Sequence, residues 1–152
     1  MKVITLKQPW ASLVAYGFKK YEFRSWKLNY RGDIIIHAGL GVDKEAMDKV
    51  KELGLEFPSK KLMAIVHIDD CILLDENISK KINKENPLVY GNKVRDGYAW
   101  KLSNVRLLDI PDSISGKQGI WNYDLEDWSL LFYCKNNCFK LQLNWRWTND
   151  KT

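Results

Sequence analysis

The stretch QPWASLVAYGFKKYEFRSWKLNYRGDIIIHAG, from Gln8 to Gly39, decides the fold because its hydrophobic period switches from that of a helix to that of strands. Pro9 suits the first position of a helix, where its missing N–H costs nothing, and Trp10, Leu13 and Val14 follow at helical spacing until Gly17 stops the run. Tyr21–Arg24 then alternates as a strand. Lys20, Glu22 and Arg24 share one face and Tyr21 and Phe23 the other, so the charged face is expected to look into a cleft. Tyr30-Arg31-Gly32-Asp33 reads as a turn, and Ile34-Ile35-Ile36 as a short apolar strand that carries His37 at its far end. The same stretch gathers Lys19, Arg24 and Arg31, the carboxylate of Glu22, and the indoles of Trp10 and Trp26. Charge-assisted donors beside flat stacking faces describe a pocket for an anionic or heteroaromatic ligand.

Upstream, Lys2–Leu6 is β-branched and apolar and predicts a first strand. Downstream, Asp43 caps a helix with Ala46, Met47, Val50 and Leu53 on its buried stripe and Gly54 just beyond. Leu62–Leu74 is the longest β-like run, and its length implies a bulge near Asp69-Asp70. Asp75–Gly97 turns polar and predicts a short helix followed by a surface excursion. Tyr98–Leu102 and Val105–Ile110 read as two strands about a Ser103-Asn104 turn, and Gly116–Trp121 as a glycine-bracketed loop. Strands outnumber helices, so a mostly β architecture with short helices is expected, of the α+β class. Finally, Phe139, Leu141, Leu143, Trp145 and Trp147 alternate with polar residues. Across Asn136-Asn137 they face Leu130, Phe132 and Cys134, which predicts a C-terminal β-hairpin pairing Cys134 with Phe139, Phe132 with Leu141 and Leu130 with Leu143. Such a hairpin needs a surface to pack on, either the main sheet or a second subunit, the latter making a homodimer.

The 152 residues suit one domain with a complete core, and 45% hydrophobic with 28% charged residues is an ordinary globular balance. A net charge of +5 and a pI near 9.0 tilt the partners toward polyanions. Cys71, Cys134 and Cys138 are odd in number with no secretory leader before them, which predicts a reducing, cytoplasmic setting. Cys134 and Cys138 make only half of a tetrahedral zinc site, so no metal is expected. No run approaches the roughly 18 apolar residues of a spanning helix, and no membrane role is expected.

Gly17, Lys19, Glu22 and Arg24, with Lys7-Gln8-Pro9-Trp10-Ala11 before them and Arg24-Ser25-Trp26, Tyr30-Arg31-Gly32, Ile36-His37-Ala38 and Gly116-Lys117-Gln118-Gly119-Ile120-Trp121 after, resemble an ASCH domain, the activating signal cointegrator homology domain of the PUA-like superfamily. The resemblance covers residues 1 to about 125 and leaves 126–152 as an extension outside the pattern. It implies a PUA-like β-barrel with a cleft, in a family regarded as binding RNA or related nucleotides, with no cofactor. The candidate ligand-binding residues are Gln8, Trp10, Lys19, Glu22, Arg24, Trp26, Tyr30, Arg31 and Lys117. Lys19, Arg24 and Arg31 would neutralise phosphates, Glu22 would accept from a base amino group, and Trp10 would stack on a base. Lys117, between glycines, would reach a phosphate. Trp100 and Trp121 read as core, His37 as a satisfied structural residue and His67 as packing.

Two other functions stand beside a binding module. Some compact relatives resemble amide hydrolases acting on N4-acetylcytidine, with a lysine matching Lys19 and a threonine where this chain has Glu22. A carboxylate cannot be that hydroxyl nucleophile, so hydrolysis here would need Glu22 to activate water while Lys19 steadies the oxyanion. Ribonuclease activity, proposed in the family, finds no pair of histidines beside the cleft. The third function is an adaptor that uses the amphipathic hairpin to join a partner.

Overall fold

The computed structural model describes residues 1–125 together with the backbone of Phe132–Tyr133 and Lys140–Leu141. Its strands are β1 (Lys2–Gln8), β2 (Tyr21–Arg24), β3 (Gly32–Val42), β4 (Lys61–Leu73), β5 (Tyr98–Leu107) and β6 (Ile120–Asn122), followed by the short β7 (Phe132–Tyr133) and β8 (Lys140–Leu141). They form one mixed sheet in the order β6-β1-β3-β4-β5-β7-β8, with β2 also paired to β5. β1 lies parallel to β3, and the other neighbours are antiparallel.

The α+β class expected from the sequence is what forms, but the expected closed barrel does not. Among the described residues the ladder is open, because β2 pairs only with β5 and β6 only with β1. From β2 a side chain makes the reach toward β1 instead, Arg24 Nη2 donating to Thr5 O at 3.4 Å. One face of the sheet is covered by α1 (Trp10–Ala15), whose Ala11, Val14 and Ala15 pack with Ile34, Ile36, Ala64, Ile68 and Trp100. Pro9 sits one place before the position expected of it, as the N-cap residue.

Sheet curvature comes from bulges. β4 runs unbroken for 13 residues and slips register between Ile68 and Asp70, where the acidic pair interrupts its apolar run. β5 corrects the sequence reading: Tyr98–Leu107 is one strand, and Ser103-Asn104 is a bulge within it. Asn104 has a φ of +49°, a conformation that asparagine tolerates in bulges and in tight turns alike. His37 lies in the middle of β3, because that strand continues to Val42.

Three further helices cover one end of the sheet. Asp43 caps α2 (Lys44–Val50) by accepting from Ala46 N at 3.0 Å, and a 3₁₀ turn, Lys51–Leu53, stops at Gly54 with φ +69°. The polar stretch beyond β4 holds two helices where one was expected. Asp75 caps α3 (Glu76–Glu85) at Ile78 N, and Asn86 caps α4 (Pro87–Tyr90). Val50, Ile82, Val89 and Tyr90 join Leu13, Leu74 and Ala99 in a second core, with Trp10, Tyr21 and Phe23 on its margin. β2 and the start of α1 are thereby pinned between the sheet and the helices.

In the tail, Phe132 stands opposite Leu141, and Leu107 opposite Tyr133. The expected pairings of Cys134 with Phe139 and Leu130 with Leu143, and the residues Trp145 and Trp147, lie outside the described residues.

Candidate functional site

Gly17, with φ +77°, ends α1 and lets the chain double back, so that Phe18 N and Lys19 N both donate to Leu13 O, at 2.8 and 3.0 Å. That reversal drives the Lys19 side chain inward. It is 4% exposed, and its ammonium donates to Glu22 Oε2 at 2.6 Å and to Tyr21 O. Glu22, on the inward face of β2, is 8% exposed and presents its other oxygen to Arg24 Nε at 3.2 Å. Two aromatic rings face the ammonium, Phe23 at 5.1 Å and Trp10 at 5.8 Å from ring centre to Nζ.

Burial holds the Lys19 pKa below the usual lysine value; Glu22 opposes that fall, while the positive charges of Arg95 and Arg24 add to it. A lysine has three donors and two are used, so one remains for a ligand. Trp10, Lys19, Glu22, Phe23, Val89 and Arg95 line a half-open cavity of about 150 Å³. An adjoining groove of about 340 Å³ shares Trp10, Val89 and Arg95 with it and is lined besides by Lys49 and Lys93 and by the carboxylates of Asp43 and Glu45, the last paired with Lys49 at 3.1 Å. The floor can donate through Lys19 and accept through Glu22, and the walls can stack.

Arg95 is the site residue that sequence reading missed. Its guanidinium lies 4.3 Å from the Phe23 ring centre and donates to Asn83 Oδ1 at 2.7 Å and to Tyr90 O. Burial lowers its pKa from the usual arginine value. Nothing local marks it, since it sits in a polar stretch, Asn92 to Asp96, that reads as solvated loop.

Lys19, Glu22 and Trp10 are thus brought together, and Arg24 touches Glu22 from outside the cavity lining. The remaining candidates do not line it. Gln8 is 2% exposed with both ends used inside the protein, accepting from Ser12 N and donating to Pro58 O. Trp26 is 39% exposed and packs edge-on against Trp100, ring centres 4.8 Å apart. Tyr30 donates to Asp33 O, and Arg31 is held by Leu28 O and Asp70. Lys117 is on the surface.

Both histidines have identifiable roles outside the cavity. His37 Nε2 lies 2.7 Å from Ile114 O, which can only accept, so Nε2 carries the proton and Nδ1 accepts from Thr5 Oγ1 at 3.2 Å. Trp121 Nε1 donates to the same hydroxyl at 3.1 Å, and the relay ties β1, β3 and β6 together. His67 corrects the expectation of packing: β4's alternation turns it away from the core, half exposed, with Nδ1 3.0 Å from Asp33 on the neighbouring strand. Among the described residues no group of three or more His, Cys, Asp or Glu is placed to hold a metal, and no helix is long and apolar enough to cross a membrane.

Comparison with known proteins places the fold among relatives. A family model described as the ASCH domain matches residues 4–112. Human activating signal cointegrator 1 is 27% identical over 135 residues, an alignment covering 80% of this chain and 22% of that protein. The chain therefore spans about a fifth of the length of this relative. The crystal structure of ASCH from Zymomonas mobilis has the same fold, with a TM-score of 0.52 at 15% identity over 81% of this chain and 87% of the other.

Proposed function

Since the chain belongs to the ASCH domain family, a family associated with RNA binding, we propose that it binds a nucleotide or a single-stranded RNA segment with one base in the cavity beneath Trp10 and Phe23. The observation that carries this reading is the buried Lys19–Glu22 pair, 2.6 Å apart, on the floor of an aromatic-walled cavity. Two desolvated charges are a poor way to hold a fold, because well-packed apolar residues of similar volume are often as stable or more so. They suit the polar edge of a base, to which Lys19 donates and from whose amino group Glu22 accepts. Trp10 and Phe23 supply the sequence-tolerant stacking faces, and Arg24 and Arg95 the positive field.

The test is titration of labelled single-stranded RNA at several salt concentrations. Affinity should fall as salt rises, with log K declining by about 0.7 per phosphate neutralised for each decade of salt. Trp10→Ala should weaken binding by the roughly 1–3 kcal/mol of one stacked base. Salt-independent affinity, or a Trp10→Ala variant that binds like wild type, refutes the reading.

Burial of Lys19 against Trp10 and Phe23 and near the cations of Arg95 and Arg24, which lowers its pKa, favours a second reading, since a lysine desolvated beside other cations is the environment of reactive lysines. Incubation with N4-acetylcytidine separates the two. Released acetate, lost in Glu22→Gln while cytidine still binds, would make the protein a hydrolase in which Glu22 activates water and Lys19 steadies the oxyanion.

A further inference from the structure

Resting on the reading that the cavity takes a base, we propose that Arg95 is the phosphate-binding residue of the site, so that the ligand is a nucleotide or an RNA backbone segment and not an unphosphorylated nucleoside. Arg95 lies at the seam, lining both the cavity and the adjoining groove. An oxygen attached to a base held inside, one sugar away, would emerge there. The guanidinium is fixed before any ligand arrives. Its flat face rests on Phe23, and among the described residues Nη1 serves Asn83 Oδ1 and Lys93 O while Nη2 serves Tyr90 O.

Those contacts use three of the five donors of the fork. The Nε–H and one N–H of Nη2 are left, a pair able to grip two oxygens of one phosphate. The backbone behind it is anchored as well, Arg95 N donating to the buried Ser79 hydroxyl at 2.9 Å. Charge asks for the same ligand. The charges of Arg95 and Arg24 act on Lys19, Glu22 is the one carboxylate lining the cavity, and Arg95 has no carboxylate partner among the described residues. An anion at the mouth would complete the balance of the cavity; in the adjoining groove Lys49 and Lys93 are offset by Asp43 and Glu45, with Lys49 paired to Glu45 at 3.1 Å, so the pull on the anion comes from Arg95 itself.

Calorimetric titration of the full chain with the four nucleosides, their 5′-monophosphates and inorganic phosphate tests the assignment. At least one monophosphate should bind about 10- to 100-fold tighter than its nucleoside, the range of a charge-assisted bidentate contact. Arg95→Gln should close most of that gap by weakening the monophosphate far more than the nucleoside, and Arg95→Lys should restore only part of it, because a point charge lacks the fork. Equal affinity of nucleoside and monophosphate for the wild-type protein overturns the phosphate assignment and leaves the base-binding reading standing. Equal weakening of both ligands in Arg95→Gln also overturns it, since Arg95 would then be reading the base or merely holding α4. No binding of any nucleoside, nucleotide or single-stranded RNA removes both.

Discussion

Replacing Glu22 by Gln keeps the side chain's shape and removes the charge that faces Lys19 and Arg24. Lys19 is 4% exposed with Nζ 2.6 Å from Glu22 Oε2, and breaking such a buried pair from one side costs about 3–5 kcal/mol, because the surviving charge stays desolvated without its partner. With a urea m-value of about 2 kcal/mol/M, a loss of about 4 kcal/mol lowers the unfolding midpoint by about 2 M at pH 7. The pH dependence then identifies the stranded group. Burial already places the Lys19 pKa below that of an unfolded lysine, and Glu22 is the main influence holding it up. A lysine with a lowered folded pKa binds fewer protons folded than unfolded, so stability rises with pH between the folded value and the unfolded value near 10.4. In Glu22→Gln that window opens at lower pH, and the deficit against wild type should shrink as pH rises from about 7 to about 9.5. Urea unfolding at both pH values provides the readout. A Lys19→Met, Glu22→Leu double variant should regain most of the stability while losing ligand binding. A midpoint unchanged at pH 7, or a deficit that grows with pH, would refute the description of Lys19 as a buried cation held by Glu22.

Tyr90 Oη accepts from Lys20 N and Tyr21 N, at 2.7 and 3.2 Å, in a side chain that is 3% exposed. Tyr90→Phe should therefore cost about 1–3 kcal/mol in thermal unfolding for the stranded amides. Burial pushes the Tyr90 phenol up to about 12, so wild-type stability should fall as pH rises above the unfolded value near 10, and that alkaline loss should be smaller in Tyr90→Phe. Gly116→Ala would set a methyl 2.6 Å from His37 Cε1 and 2.7 Å from Thr5 Oγ1; a loss of about 1–3 kcal/mol by urea unfolding is expected from this overpacking. Burial lowers the His37 pKa, so its imidazole should titrate by NMR below the usual value near 6.5, and its part in stability should be lost as pH falls through that value toward the folded one.

Local signals were read well because their causes are local. Asp43 and Gly54 bracket their helical stretch through hydrogen bonds and a left-handed φ that involve only near neighbours. The bulge at Asp69-Asp70 was legible because an acidic pair cannot continue an apolar run. Ser103-Asn104 misled for the opposite reason, since a residue with positive φ serves a bulge within one strand as readily as a turn between two. The closed barrel failed on a distant pairing, because whether β2 meets another strand beyond β5 is written in neither sequence segment. Arg95 was invisible because Asn83, Tyr90 and Phe23, which orient it, come from three other places in the chain.

By itself the sequence determined the strand-rich plan, the helix caps, the family, and the placing of Lys19 and Glu22 three residues apart just beyond a glycine-terminated helix end. All of these depend on backbone preference and on neighbours a few residues away. Tertiary structure alone decided that Lys19 and Glu22 are buried together, that Gln8, Tyr30 and Arg31 serve the protein's own backbone or surface, and that an arginine some 70 residues downstream completes the site. Desolvation and charge balance depend on everything within several ångströms, whatever its distance along the chain.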